Sequence, residues 1–203
     1  MLLNLNPLLY YEDDFLSNYE CDKIIELSKD SLDRSKVGSS DNSHVSEHRT
    51  SSNAWLHRGS SDFVDNVYKR LEGKLLISTT QAEAIQVINY GATQEYKPHH
   101  DTFQPDEVEK QGSQRVMTAL LYLNTPISGG GTSFPSLHKR VDAMKGRLVI
   151  FSTVFPGTKI QHPLALHGGE PVGMGEKWAA NVWYRDTTYP KPAEKSEAEE
   201  ETV

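Results

Sequence analysis

His99 and Asp101 stand two residues apart, His167 follows sixty-six residues after Asp101, and Lys177 lies ten residues beyond His167. Two imidazoles and one carboxylate can occupy three corners of an octahedral ferrous ion and leave the others open, as non-haem iron oxygenases require. In an extended strand residues i and i+2 face the same way, so His99 and Asp101 can converge on one ion while His100 points away. The third ligand, His167, must then come from another strand. The run Lys177–Tyr184 reads as a strand behind a glycine-bearing turn, and a hairpin there would return Lys177 to the side of His167. One His-x-Asp pair among eight histidines is a weak signal by itself. The same donors also suit a zinc hydrolase.

The elements around these residues change character along the chain. Ser17 and Glu20 form a capping box ahead of Cys21, Ile24, Ile25 and Leu32, which predicts a helix over 18–32. Phe63, Val64, Val67, Tyr68, Leu71 and Leu75 recur at helical spacing after Ser60 and Ser61, a second helix. Both stripes read as packing faces over a sheet. Between them lies a polar, serine-rich stretch that holds His44 and His48, read as loop residues because almost no apolar periodicity surrounds them. From residue 84 the chain turns to short strand candidates, AIQVINY, RVMTALLYLN, RLVIFSTV and KWAANVWYR, punctuated by glycines and prolines. That pattern favours a mainly β sandwich or jelly roll with flanking helices. In the second candidate, alternation puts Val116, Thr118, Leu120 and Tyr122 on one face. Thr118 and Tyr122 must find polar partners if buried there. In the last, Asn181 and Trp183 share the face of Lys177, and Trp178 points the other way as a structural residue.

NYGATQEYKPHHD at 89–101 resembles the metal-binding stretch of the prolyl 4-hydroxylases, and further blocks follow in that family's order. They are QRVMTALLYLN at 114–124, GGGTSFP at 129–135, KGRLVIF at 145–151 and HGGEPVGMGEKWAANVW at 167–183, with weaker matches at 15–25 and 49–56. The resemblance implies a double-stranded β-helix over 1–186, with helical support in 18–78 and the β-helix core from about residue 84. It implies a dioxygenase in which His99, Asp101 and His167 hold Fe(II), and in which 2-oxoglutarate and O2 are consumed to hydroxylate proline in a peptide or protein. Succinate and CO2 are released, and L-ascorbate is the expected rescuer of oxidised iron. By the same resemblance Lys177 pairs with the distal carboxylate of 2-oxoglutarate, Tyr122 gives its hydroxyl to that carboxylate with Thr118 beneath it, and Asn181 joins that wall. Tyr90, Arg49 and Trp183 are its substrate-side candidates, Arg49 on a loop that covers the peptide. Two positions depart from the common pattern: Glu170 stands where a cysteine is usual, and Gly131 replaces the acidic residue of a GGET-like turn. They put the substrate in question more than the iron. Alternatives are a related oxygenase acting on another amino acid or a small molecule, and a catalytically silent β-helix binding module.

At 203 residues and 22.8 kDa the chain has room for one catalytic domain. The formal charge of −7 disfavours a nucleic-acid backbone as partner. No run approaches the apolar length of a membrane span, and the opening MLLNLNPLLYY lacks the basic region of a secretion signal. Cys21 has no partner for an internal disulfide. A cytoplasmic or otherwise soluble protein is the expectation, with residues 187–203 an acidic, disordered tail.

Overall fold

A computed structural model gives the architecture, and it describes residues 1–34, 36–37, 44–45 and 51–189. His48, Arg49 and the acidic stretch from 190 onward lie outside the described residues, as does the side chain of His44. In chain order the elements are β1 (Leu2–Leu5), β2 (Leu8–Glu12), α1 (Asn18–Ser28), β3 (Asp33–Arg34), β4 (Lys36–Val37), β5 (His44–Val45), β6 (Ser52–Leu56), α2 (Asp62–Leu75), β7 (Ile85–Tyr90), β8 (Tyr96–His99) and α3 (Pro105–Gln111). They continue with β9 (Arg115–Tyr122), β10 (Ser128–Gly129), β11 (Thr132–Phe134), β12 (Lys139–Val141), β13 (Leu148–Ser152), β14 (His167–Gly169), β15 (Val172–Met174) and β16 (Lys177–Arg185).

Eight strands form one antiparallel sheet in the order β1-β2-β13-β9-β16-β7-β6-β3, and four form a second in the order β12-β11-β14-β8. Period-two alternation divides the large sheet between two cores. On its outer face Ala119, Leu121, Leu148, Ile150, Ala180 and Val182 pack against Cys21 and Ile24 of α1 and Val64, Val67, Tyr68 and Leu71 of α2. On its inner face Leu120, Tyr122, Val149, Phe151 and Ala179 meet Phe134 and Val141 of the small sheet. Burying each large apolar side chain contributes about 1.5–3 kcal/mol, so the inner interface holds the two sheets face to face and the outer one holds α1 and α2 on the large sheet. This is the jelly roll that the strand pattern and the resemblance pointed to.

The helices begin where their caps place them. Ser17 accepts from the Glu20 backbone while the Glu20 carboxylate accepts from the Ser17 backbone, and Ser61 caps α2 through the Val64 N–H. The first helix is shorter than its apolar spacing suggests. Ser28 turns its hydroxyl back onto the Ile24 carbonyl at 2.7 Å, and Lys29–Ser31 tighten into a 3-10 turn.

The link between His167 and Lys177 also differs from the hairpin expected. β16 lies in the large sheet between β7 and β9, whereas β14 lies in the small sheet between β11 and β8. Between them β15 pairs with β10 in a separate two-stranded ribbon. The chain therefore crosses from one sheet to the other, and His167 and Lys177 approach across the inner core.

Candidate active site

β8 and β14 are hydrogen-bonded neighbours, and their register sets His99 directly opposite His167. Asp101 follows two residues after His99, and the ligand atoms of the three residues lie within 4.8 Å of one another. The His99 and His167 Nε2 atoms each sit 3.5 Å from a different oxygen of Asp101. Their Nδ1 atoms face backbone carbonyls two residues upstream, Lys97 O at 2.9 Å and Ala165 O at 3.0 Å. A carbonyl accepts only, so each Nδ1 carries the proton and each Nε2 presents a lone pair. Two lone pairs and a carboxylate aimed at one point repel unless a cation lies between them. The residues therefore fit a divalent metal, and the nitrogen-rich donor set with one carboxylate fits ferrous iron.

The protonation states support that fit. Burial drives the His167 pKa down to about 4 against the opposing pull of Asp101, so the ring is neutral near pH 7. Burial alone would raise the Asp101 pKa, yet the His167 and His99 rings, which carry positive charge at the acid pH where Asp101 would protonate, and a hydrogen bond from Thr118 hold it well below the usual carboxylate range. Thr118 donates to Asp101 Oδ2 at 2.6 Å. Aromatic rings close the remaining sides: Tyr96 stacks on His99 with 3.6 Å between centroids, and Phe151 packs on His167 at 4.5 Å.

A cleft runs from this cluster along the inner face of β16, lined by Tyr90, His99, Leu120, Thr132, His167, Lys177 and Asn181 among others. Lys177 closes its far end. Only 3% of the residue is exposed, and its ammonium makes no hydrogen bond or ion pair with another described residue. Burial lowers its pKa to about 8, with the Glu170 carboxylate acting in the other direction. The Tyr90 and Tyr122 rings lie 5.2 and 5.3 Å from Nζ, and a Cβ added at Gly169 would fall 3.7 Å from it. A desolvated cation facing a cleft bordered by rings and glycine backbone is suited to a carboxylate ligand.

The other sequence candidates fall at definite places. Asn181 lines the cleft beside Ala179, on the Lys177 face of β16. Thr118 is one strand pair further down β9, and its hydroxyl is taken by Asp101, so it stands behind the carboxylate ligand rather than on the wall of the cleft. Tyr122 is fully buried with its hydroxyl 2.7 Å from Thr132 Oγ1, and it is Thr132 that reaches the cleft. Tyr90 pairs directly with Lys177 in the ladder and lines the cleft at the lysine end. Trp183 lies under the Arg115 guanidinium at 3.8 Å, with its indole N–H buried and without a hydrogen-bond partner among the described residues. Trp178 packs in the helix-side core.

Sequence reading passed over Tyr96, Thr132, Phe151 and a buried charge cluster. In that cluster Glu83 receives Arg115 through Nε at 2.7 Å and Nη2 at 2.8 Å, and it also receives Arg185. Arg115 lies close enough to Asp101 and Tyr96 for both to act on its charge. Strand-end arginines look like surface residues in a sequence, and only the pairing with Glu83 from a different segment reveals them. A larger apolar groove of about 670 Å³ lies by Leu5, Leu8, Met117 and Phe155. Its charged lining residues, Lys159 and Asp186, are paired with each other at 2.6 Å, and among the described residues the metal-capable cluster is His99, Asp101 and His167, so the chemistry belongs to the smaller cleft.

A jelly roll carrying two histidines, one aspartate and a buried lysine on its inner faces is the build of a non-haem iron, 2-oxoglutarate-dependent oxygenase. Residues 85–185 match the family described as the 2OG-Fe(II) oxygenase superfamily. Probable prolyl 4-hydroxylase 8 of Arabidopsis thaliana is 31% identical over 212 residues, which cover 93% of this chain and 72% of that protein. The viral collagen prolyl hydroxylase of Paramecium Bursaria Chlorella virus-1, in a 2OG complex, superposes with a TM-score of 0.72 at 30% identity, over 88% of this chain and 96% of that one. A Trichoplax adhaerens prolyl hydroxylase in complex with a hypoxia inducible factor peptide fragment shares the fold, with a TM-score of 0.65 at 22% identity, over 91% of this chain and 86% of that one. The chain belongs to the prolyl 4-hydroxylase family of 2-oxoglutarate-dependent dioxygenases.

Proposed function

We propose that this protein hydroxylates proline in peptides or proteins at C4, in a single catalytic domain over residues 1–186. The observation that carries the reading is the convergence of His99, Asp101 and His167 at one end of a cleft whose other end is a buried ammonium that makes no ion pair with another described residue. His99 and His167 would hold iron through Nε2 and Asp101 through one oxygen. With iron, 2-oxoglutarate and O2 bound, the chemistry supplied is oxidative decarboxylation to succinate and CO2 coupled to insertion of one oxygen atom into a proline C–H bond.

The chain's own part is positioning and exclusion of water. Lys177 binds the distal carboxylate of the co-substrate, and Asn181 and Thr132 orient it along the cleft. Tyr122 supports Thr132 from behind. Thr118 keeps the Asp101 oxygens in one orientation, and the Lys97 and Ala165 carbonyls fix both imidazole tautomers. Phe134 and Phe151 seal the His167 side from solvent. On the remaining side the Tyr96 ring and the Arg115 guanidinium, which is backed by the buried Trp183 ring, are suited to a prolyl ring and its flanking carbonyls. L-ascorbate serves as the external reductant that returns oxidised iron to the ferrous state. Among the described residues no helix is long and apolar enough to cross a membrane.

The decisive experiment is mass spectrometry of proline-rich peptides incubated with the protein, Fe(II), 2-oxoglutarate and O2. A mass gain of one oxygen located at proline, with stoichiometric succinate, is the expected result. Succinate release without oxygen on any proline of collagen-like or hydroxyproline-wall-like peptides would overturn the substrate reading.

A further inference from the structure

The two departures from the family pattern, Gly131 and Glu170, meet in space. They lie at the ends of neighbouring strands β11 and β14, and the Glu170 N–H donates to the Gly131 carbonyl at 2.9 Å. The Glu170 carboxylate lies over Gly131 and accepts from Arg140 Nε at 2.6 Å, so an ion pair from β12 reaches across β11 to the end of β14. A Cβ built at Gly131 would fall 2.9 Å from Glu170 Oε2, 3.0 Å from the Val141 carbonyl and 3.1 Å from Arg140 Nη2. A side chain at 131 would crowd the Val141 carbonyl and force the ends of the Arg140–Glu170 pair to shift. Glycine at 131 leaves the space that the Glu170 carboxylate and the Arg140 guanidinium occupy.

The placement has an electrostatic consequence. Gly169, next to Glu170, borders the Lys177 ammonium, and Gly130, next to Gly131, borders the Lys177 stem. Glu170 is the carboxylate whose field reaches Lys177. A bare carboxylate there would oppose a dianionic ligand within a screening length of about 8 Å at physiological salt. Arg140, which also pairs with Asp142 through Nη1, offsets part of that charge.

We propose that Arg140 is a positioning residue for co-substrate binding, which, by pairing with Glu170 over Gly131, keeps the Lys177 end of the cleft electropositive enough to take the distal carboxylate of 2-oxoglutarate. This rests on the reading of Lys177 as the co-substrate anchor. The test is calorimetric titration of 2-oxoglutarate into Mn(II)-loaded protein for the parent, R140Q, E170Q, the R140Q/E170Q double variant and K177A. Because the pair is partly exposed, R140Q should fold normally and weaken binding by about 3- to 5-fold. E170Q alone should bind at least as well as the parent, and the double variant should recover to within about twofold of it. High salt should shrink the R140Q deficit. A merely structural tie predicts the opposite: the double variant would be as weak as R140Q, which overturns the inference, as does unchanged binding in R140Q. If K177A loses affinity and R140Q does not, only this inference fails. If K177A binds normally, the anchor reading fails and the inference falls with it.

Discussion

The two ends of one cleft are built on opposite principles. At the metal end every donor is held by a named partner: Nδ1 of His99 by Lys97, Nδ1 of His167 by Ala165, and Asp101 by Thr118. At the lysine end the ammonium meets two aromatic rings and glycine backbone, with no hydrogen bond or ion pair to another described residue. A metal needs donors fixed in direction before it arrives, because coordination geometry tolerates little displacement. A dianion needs a desolvated charge kept unpaired until it arrives. Rigidity is the device at one end and withheld pairing at the other, and the two respond differently to substitution.

The largest effect belongs to the metal end. Replacing His167 or Asp101 with alanine leaves two donors where three converge, and the expected outcome is loss of measurable Fe(II) affinity together with oxygenase turnover. The fold should survive, since the removed groups repel one another when no cation is bound. Anaerobic Fe(II) titration and circular dichroism check both halves. Normal iron affinity in either variant would remove that residue from the ligand set.

At the lysine end, Lys177→Ala should leave Fe(II) affinity near normal and weaken 2-oxoglutarate by roughly 30- to 1,000-fold, as expected for loss of a charge-assisted contact in a buried site. That split separates the two ends. A variant that lost iron and co-substrate together would show that they form a single unit. Thr118→Val probes the rigidity of the metal end without touching a donor. Removing a supporting hydrogen bond from a ligand costs about 10- to 100-fold in metal affinity. Equal iron affinity in the Thr118 variant would mean that Asp101 is oriented by packing alone.

The contrast also explains what the sequence disclosed. His99 and Asp101 are legible as an i, i+2 pair, although β8 ends at His99 and Asp101 sits in the bend just beyond it, and the order of motif blocks leads to His167 and Lys177. The double-sheet architecture is legible from short alternating runs. The crossing from β14 to β16 is not, because a glycine-bearing turn signals reversal without saying which sheet receives the next strand. Thr118 and Tyr122 are recognisable as buried polar residues, but their partners, Asp101 and Thr132, are distant choices that only the packed strands decide. Glu83 with Arg115 and Arg185, and Gly131 with Glu170 and Arg140, are legible only as pairs. Each member alone reads as an ordinary surface charge or turn glycine.

The finest distinction between the ends is in their response to pH. Burial depresses the Lys177 pKa from its usual value to about 8 in the ligand-free protein. Co-substrate binding requires the charged form, so affinity should be level below about pH 8 and fall above it, about tenfold per pH unit while the bound lysine stays protonated. Stability of the ligand-free protein should change in the opposite sense. Above pH 8, and up to the ordinary lysine value of 10.5, the unfolded chain binds a proton that the folded chain has lost, so this group makes the fold more stable as pH rises through that window. An arginine at 177 stays charged throughout, so Lys177→Arg should flatten the pH profile of 2-oxoglutarate binding whatever its absolute affinity. Calorimetry of the Mn(II)-loaded protein from pH 7 to pH 9 decides the matter. The same slope in the parent and the arginine variant would place the titrating group elsewhere, and would mean that the unpaired charge at the lysine end is not what the co-substrate senses.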